Sequence, residues 1–296
     1  MMRVIPCLPL SLFALLAGLS QPVFAEYDPK IIAYVPFWKN SVIDYEKITH
    51  INYAFALPQA DGHLKAVANT SKLTSIVQDA NQAGVKVFIS VGGWSDVDAN
   101  GNLITLDSIF EGIGADPARR ANLVTDIMGV VNQYGLDGVD LDWEFPNPGA
   151  SADNFNSLMC ELHSQLQPNG KQLTAAVGIE SAGDGYTSAI KDKVDWVNIM
   201  SYNHYNPNST QHATFDNALA SVAQYQAKGF SNDQLVLGVP FYGKDASGEV
   251  CYADLLALGA DPHQDSFNGY GYNGIDTIVQ KAQFVNANQL AGMMFW

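Results

Sequence analysis

A chain of 296 residues with 47% hydrophobic and 15% charged residues can bury a sizeable core and does not have the composition of a disordered polymer. Its 30 acidic against 15 basic residues give a formal net charge of −15, which repels phosphate backbones and anionic lipid. Nucleic acid and membrane surfaces are therefore disfavoured as partners, and a neutral polymer or small neutral ligand suits the balance better.

The N-terminus reads as targeting rather than fold. Arg3 supplies a positive start, Leu8 to Leu19 an apolar run, and Val23-Phe24-Ala25 a small-residue cleavage pattern. The run is too short and too poorly flanked for a membrane span. A signal peptide over 1–25, one folded domain over 26–296 and a secreted product, extracellular or periplasmic, are expected. Cys7 falls in the leader. Cys160 and Cys251 remain, and one disulfide between them is permitted but not required.

Beyond Glu26, short apolar runs alternate with amphipathic stretches. The runs are Ile31–Trp38, His50–Ala56, Val85–Gly93, Gly135–Glu144, Lys171–Gly178, Val194–Tyr202, Gln234–Gly243 and Ala291–Trp296. Helical periodicity is clearest in Ser71–Ala83, Pro117–Tyr134, Asp153–Leu166, Ala213–Lys228 and Ile275–Asn288. Near-continuous apolar strands alternating with helices predict a parallel sheet covered by helices, and eight of them fit one (β/α)8 TIM barrel. The sequence ends at Trp296 with no helix after the eighth strand, so the barrel is expected to lack its last helix and to expose apolar surface there. Repeats and Pro/Ser-rich linkers are absent, and a monomer is expected. An open doubly wound sheet would place a Gly-rich phosphate turn after strand one, where Tyr34-Val35-Pro36-Phe37-Trp38 stands instead. Gly238 to Lys244 imitates a P-loop, but Asp245 replaces the metal-binding hydroxyl and Pro240 spoils the cradle.

The chemistry concentrates in Leu136-Asp137-Gly138-Val139-Asp140-Leu141-Asp142-Trp143-Glu144-Phe145. Alternation puts Asp140, Asp142 and Glu144 on one strand face and Val139, Leu141 and Trp143 on the other. The apolar face packs on helices, so the acids look into the barrel. Carboxylates roughly 7 Å apart along one buried strand cannot all ionise cheaply, so one or two hold protons near neutral pH. Glu144, at the C-terminal end where barrel active sites lie, is the candidate general acid. Asp137 has the other parity and reads as a structural hydrogen-bonding residue. The acids project in a line rather than converging, and the six histidines lack paired ligand spacing, so no metal and no cofactor is expected.

At this segment the chain closely resembles glycoside hydrolase family 18, the chitinases and their relatives. The family's D-x-x-D-x-D-x-E is met by Asp137, Asp140, Asp142 and Glu144, and its S-x-G-G by Ser90, Gly92 and Gly93, followed by Trp94. The resemblance implies hydrolysis of β-1,4 bonds in chitin or another N-acetylglucosamine-containing glycan by a retaining, substrate-assisted route without an enzymatic nucleophile. In that scheme the substrate's 2-acetamido oxygen attacks, Glu144 is acid and then base, Asp142 orients the acetamido group, and Asp140 shares a proton with Asp142. Met200-Ser201-Tyr202-Asn203 resembles the family's M-x-Y-D, with Tyr202 implied as donor to the acetamido oxygen and Met200 beside the same sugar. Asn203 replaces the usual Asp, and Lys244 an Arg common after the seventh strand. Trp296 matches the Trp beneath the cleaved sugar; Trp94 and Phe145 are implied on the leaving-group side, and Tyr34, Phe55 and Tyr242 along the cleft. Only 31 residues separate Gly243 from Ile275, too few for the α+β insertion of many relatives, which implies an open groove and internal cleavage. Related activities sharing the acid motif are an endo-β-N-acetylglucosaminidase or a peptidoglycan-lytic enzyme. A lectin of the same fold usually loses the acid that is present here as Glu144.

Overall fold

The computed structural model describes residues 27–296 except 41, 98, 99, 205 and 207, so the expected leader lies outside the described residues. Eight parallel strands close into a barrel: β1 (Lys30–Pro36), β2 (His50–Ala56), β3 (Lys86–Gly93), β4 (Gly138–Trp143), β5 (Gln172–Val177), β6 (Trp196–Ile199), β7 (Leu235–Val239) and β8 (Gly292–Phe295). Each strand pairs with its sequence neighbours, and β8 closes the ring on β1 through Lys30 opposite Gly292.

Strand parity divides the core in two. Val139, Leu141 and Trp143 of β4 join Val87, Ile89 and Val91 of β3 in a layer packed against the helices. Ile32, Tyr34, Phe88, Trp196, Val236 and Met294 fill the barrel interior. This is the packed interior of layered side chains that the fold demands.

The helices start and stop where their sequences say they should. α1 (Thr70–Ala83) begins where the Asn69 side chain accepts the Lys72 N–H, and ends at Gly84 in the left-handed region. α3 (Pro117–Tyr134) has Asp116 as N-cap, Pro117 in its first turn and left-handed Gly135 behind it. α4 (Ala150–Leu166), α5 (Phe215–Ala227) and α7 (Ile275–Ala287) fall on the expected stretches, and α5 opens with a Thr214–Asn217 capping box. Two further helices lie outside the expected stretches: α2 (Leu106–Gly114), with no side-chain cap but with Leu106, Phe110 and Ile113 on one buried face, and the six-residue α6 (Tyr252–Ala257). Between β5 and β6 the chain makes two 3-10 turns, Glu180–Gly183 and Ser188–Ile190.

Side-chain clips fasten the barrel floor. Asp137 Oδ2 accepts the Val87 N–H at 2.8 Å while Asp137 donates its own N–H to Val87 O at 2.8 Å, locking β4 to β3. Asp195 does the same to Leu173 of β5 at 2.9 and 2.8 Å, and Thr49 to Ile31 of β1 at 2.9 and 2.8 Å. Cys160 is exposed and Cys251 half-buried, and both are free thiols. No helix among the described residues is long and apolar enough to cross a membrane.

The segment after β7 is short, as expected, but not bare. Tyr242–Asp245, Gly248–Cys251, Ser266–Phe267 and Tyr270–Gly271 form a small antiparallel sheet beside α6. Two- and four-residue strands need so little chain that they fit where a full lobe could not, and Lys244 and Glu249 from this sheet reach the cavity described next.

Candidate active site

The C-terminal mouth of the barrel opens into a cavity of about 920 Å³, within the range of ligand pockets. Asp142 and Glu144 line it; Asp140 lies one step below, fully buried. The row expected from β4 parity is therefore present, with Glu144 outermost.

Four neighbouring strands converge on Asp140. Its Oδ2 accepts from Tyr34 Oη at 2.8 Å and Ser90 Oγ at 2.9 Å, and its Oδ1 from Thr174 Oγ1 at 2.6 Å and Asn198 Nδ2 at 2.9 Å. These donors belong to β1, β3, β5 and β6. They fill the roughly four lone-pair sites a carboxylate offers. Burial pushes the Asp140 carboxyl up, and the hydrogen bonds from Thr174, Tyr34, Ser90 and Asn198 pull against it. No hydrogen bond joins Asp140 to Asp142, and Asp142 Oδ1 is buried with no partner among the described residues. Asp142 is held well above the usual carboxylate range by burial, then by the charges of Glu144 and Asp140. Burial brings Glu144 up to about 7.

Two glycines make the row possible. A β-carbon on Gly92, at φ +120°, would sit 2.0 Å from the Asp142 carbonyl oxygen; one on Gly93 would sit 2.9 Å from the Phe55 ring. On the far side of β4, Trp143 stacks on Phe110 at 5.3 Å and donates its indole N–H to Asp107 at 2.8 Å. Tyr186 Oη donates to the Trp143 carbonyl at 2.6 Å, fixing the peptide just before Glu144.

Tyr202 and Met200 follow β6 into the cavity. Burial keeps the Tyr202 phenol well above its ordinary pKa, so it is a donor at any working pH. Asn203 turns in the left-handed region at φ 61°. Its Oδ1 accepts from Tyr242 Oη at 3.0 Å and Lys244 Nζ at 3.1 Å, and its N–H donates to His212 Nδ1 at 3.1 Å. His212 stacks on Tyr242 at 5.3 Å, and burial lowers it to about 4, so the ring is neutral and Nδ1 can accept. Asn for Asp at 203 removes a charge, and Lys244 finds one on Glu249 at 3.4 Å.

The aromatic residues form two packed groups around the mouth. Trp296 packs against Tyr34 at 6.2 Å and Phe55 at 5.7 Å. Trp94 and Phe145 lie 6.3 Å apart near the ends of β3 and β4. The sequence reading missed Trp38, half exposed and 6.2 Å from Trp296. It also missed Glu180, which lines the cavity after β5. Thr174 and Asn198 could have been found, as polar residues interrupting strands that are otherwise apolar. Tyr186 and Glu180 sit in irregular backbone, where no period points anywhere.

The model of the glycosyl hydrolases family 18 matches residues 30–296. The chain belongs to this family. A chitinase-like effector of Moniliophthora roreri is 30% identical over 79% of this chain and 63% of its own length. The class V chitinase of Arabidopsis thaliana is 27% identical, over 77% and 65%. A probable chitinase 10 of Drosophila melanogaster is 24% identical over 94% of this chain, which spans only 15% of that protein. Among solved structures, a chitinase of Bacteroides thetaiotaomicron superposes with a TM-score of 0.80 at 24% identity, covering 91% of this chain and 89% of its own. A chitinase-like agglutinin of Robinia pseudoacacia shares the fold too, with a TM-score of 0.75 at 22% identity over 90% of this chain and 94% of its own. The eight-stranded barrel and its family are thereby established.

Proposed function

We propose that the protein is a secreted chitinase that cleaves between N-acetylglucosamine units with retention, using the substrate's acetamido group as nucleophile. The observation that carries this reading is Glu144, brought up to about 7 by burial at the cavity end of the acidic row. A carboxyl in that range is protonated often enough to be a general acid at neutral pH and basic enough to act in the second half. Glu144 gives its proton to the glycosidic oxygen as that bond breaks. The acetamido carbonyl oxygen closes on the anomeric carbon, giving a bicyclic oxazolinium ion. Asp142, with Oδ1 unclaimed by protein, receives the acetamido N–H, and Tyr202 donates to the acetamido oxygen. Glu144 then takes a proton from the water that reopens the ring. Trp296 supports the sugar being cleaved, since C–H faces pack on indole. The leader over 1–25 accounts for export.

Chitotetraose hydrolysis with product anomers followed by NMR tests the proposal. The protein releases β-anomer first, and Glu144→Gln loses about 10²–10⁴-fold in kcat, the usual contribution of a general acid. Cellotetraose, lacking the acetamido group, stays intact. Binding of chitotetraose without turnover in the native protein would point instead to an agglutinin.

A further inference from the structure

Glu180 is a cavity acid that the proposed reaction does not use, and the fold goes to some length to fix it. It sits just beyond β5 with φ at +53°, a region non-glycine residues rarely occupy unless their surroundings impose it. Here the Gln224 side chain imposes it, accepting the Glu180 N–H at 2.9 Å and donating to its carbonyl at 2.8 Å. The carboxylate is aimed as well. Oε1 is 2.8 Å from Nδ1 of His204, a buried imidazole whose other nitrogen lies 3.5 Å from Ser221 Oγ. Even so, the Glu180 side chain remains 60% exposed. Strain of this kind clusters at ligand clamps.

The charges around it narrow the ligand. Of the other acids lining the cavity, Asp142 and Glu144 serve the reaction, Asp96 pairs with Lys65, and Glu249 pairs with Lys244. Among the described residues Glu180 has no lysine or arginine partner. The chain's net charge of −15 adds to the negative potential at the mouth. A pre-aimed carboxylate without a lysine or arginine partner in such a field favours an ammonium group over a neutral hydroxyl, because the ammonium adds the attraction of opposite charges to the hydrogen bond. Glu180 follows β5, in the half of the mouth that holds Trp94 and Phe145 and across from Trp38, Phe55 and Trp296.

We propose that Glu180 is a specificity-determining residue that binds the free 2-ammonium of a glucosamine unit on the leaving-group side, directing the protein to partially deacetylated chitin. This rests on the chitinase reading above, which places an acetylated unit over Trp296. The cleaved sugar must keep its acetamido group, so the preferred bond joins N-acetylglucosamine to glucosamine.

The test is calorimetric binding in the Glu144→Gln background of two tetramers, fully acetylated chitotetraose and a tetramer with two N-acetylglucosamine units followed by two glucosamine units. The measured quantity is the affinity ratio, mixed over acetylated. Glu144→Gln/Glu180→Gln lowers this ratio about tenfold, equivalent to about 1.4 kcal/mol. In the Glu180-containing protein the ratio shrinks severalfold between 20 and 500 mM salt, as an exposed charge contact must. Thermal melts of the two variants agreeing to within about 1 °C show that the Gln224 clamp survives the change. An unchanged ratio, or a loss common to both tetramers, overturns the proposal. Hydrolysis of chitotetraose by the native protein tests the chitinase reading separately. If the native protein turns over chitotetraose while the ratio is unmoved, the Glu180 proposal alone is refuted; a shifted ratio without turnover leaves an amino-sugar site in a protein that is no chitinase.

Discussion

A carboxyl at the mouth of β4 whose pKa is brought from 4.5 to about 7 by burial binds its proton more tightly in the folded chain than in the unfolded one. The stability this supplies is fully present below about 4.5 and is lost as pH rises through about 7. Asp142 is raised as well and shifts in the same sense. Glu144→Gln replaces the titrating group with a neutral amide of the same shape, so the variant melts above the native protein at pH 8 and the gap closes toward pH 4. The difference is up to about 3 kcal/mol at the alkaline end, reckoned at 1.36 kcal/mol per pKa unit, and melts across that pH range measure it. Native kcat/KM falls over the same interval, because a general acid without its proton cannot protonate the leaving oxygen. Strand parity and the family motif made Asp140, Asp142 and Glu144 legible from sequence. The four donors on Asp140 were only half picked out: Ser90 lay in a motif and Tyr34 was expected in the cleft, whereas Thr174 and Asn198 showed only as polar residues inside otherwise apolar strands, a signal that names no partner.

Between strands, the most informative device is the repeated clip on the barrel floor. Asp137, Asp195 and Thr49 each precede or open a strand and reach back to a backbone N–H of the strand before it. Each adds a side-chain hydrogen bond next to a backbone one, at a place where parallel pairing has just begun. Asp195→Ala removes the acceptor from the Leu173 N–H and costs about 1.5–3 kcal/mol, the usual contribution of a hydrogen bond to a charged group. A lowered denaturation midpoint with an unchanged KM for chitotetraose is the expected pair of readings. The position of Asp137 in the strand pattern gave its role away. Nothing marked Asp195 in the same way, since a single Asp before an apolar run reads equally well as a loop residue. Elements with a full period were visible at this scale, as α3 and α4 show. The short strands after β7 were not, because so few residues complete no clear pattern, and α2, whose Leu106, Phe110 and Ile113 share one buried face, was passed over.

Taken whole, the molecule is a barrel with one fastened end and one open, acidic end. A ligand that fills the cavity and binds only the folded state must raise the melting temperature. Chitotetraose at about a hundred times its dissociation constant stabilises the fold by about 2.7 kcal/mol, or roughly 5–10 °C for a domain of this size. On the proposed reading Glu144→Gln binds without turnover, so differential scanning fluorimetry of it is expected to show that shift, with a much smaller one for cellotetraose at the same concentration. That Trp38 joins Trp296 at the cavity was not legible, because the two lie at opposite ends of the chain and meet only through β1 and β8.

Gly92 has a consequence for the variation this chain can tolerate. Where a β-carbon would lie 2.0 Å from a main-chain oxygen, no choice of side chain relieves the clash, because the obstruction is common to every amino acid but one. If the chitinase reading holds, a library randomised at codon 92 and plated on colloidal chitin should return clearing colonies that encode glycine alone. The motif's second fixed letter is thus dictated by a neighbouring strand rather than by any contact with sugar.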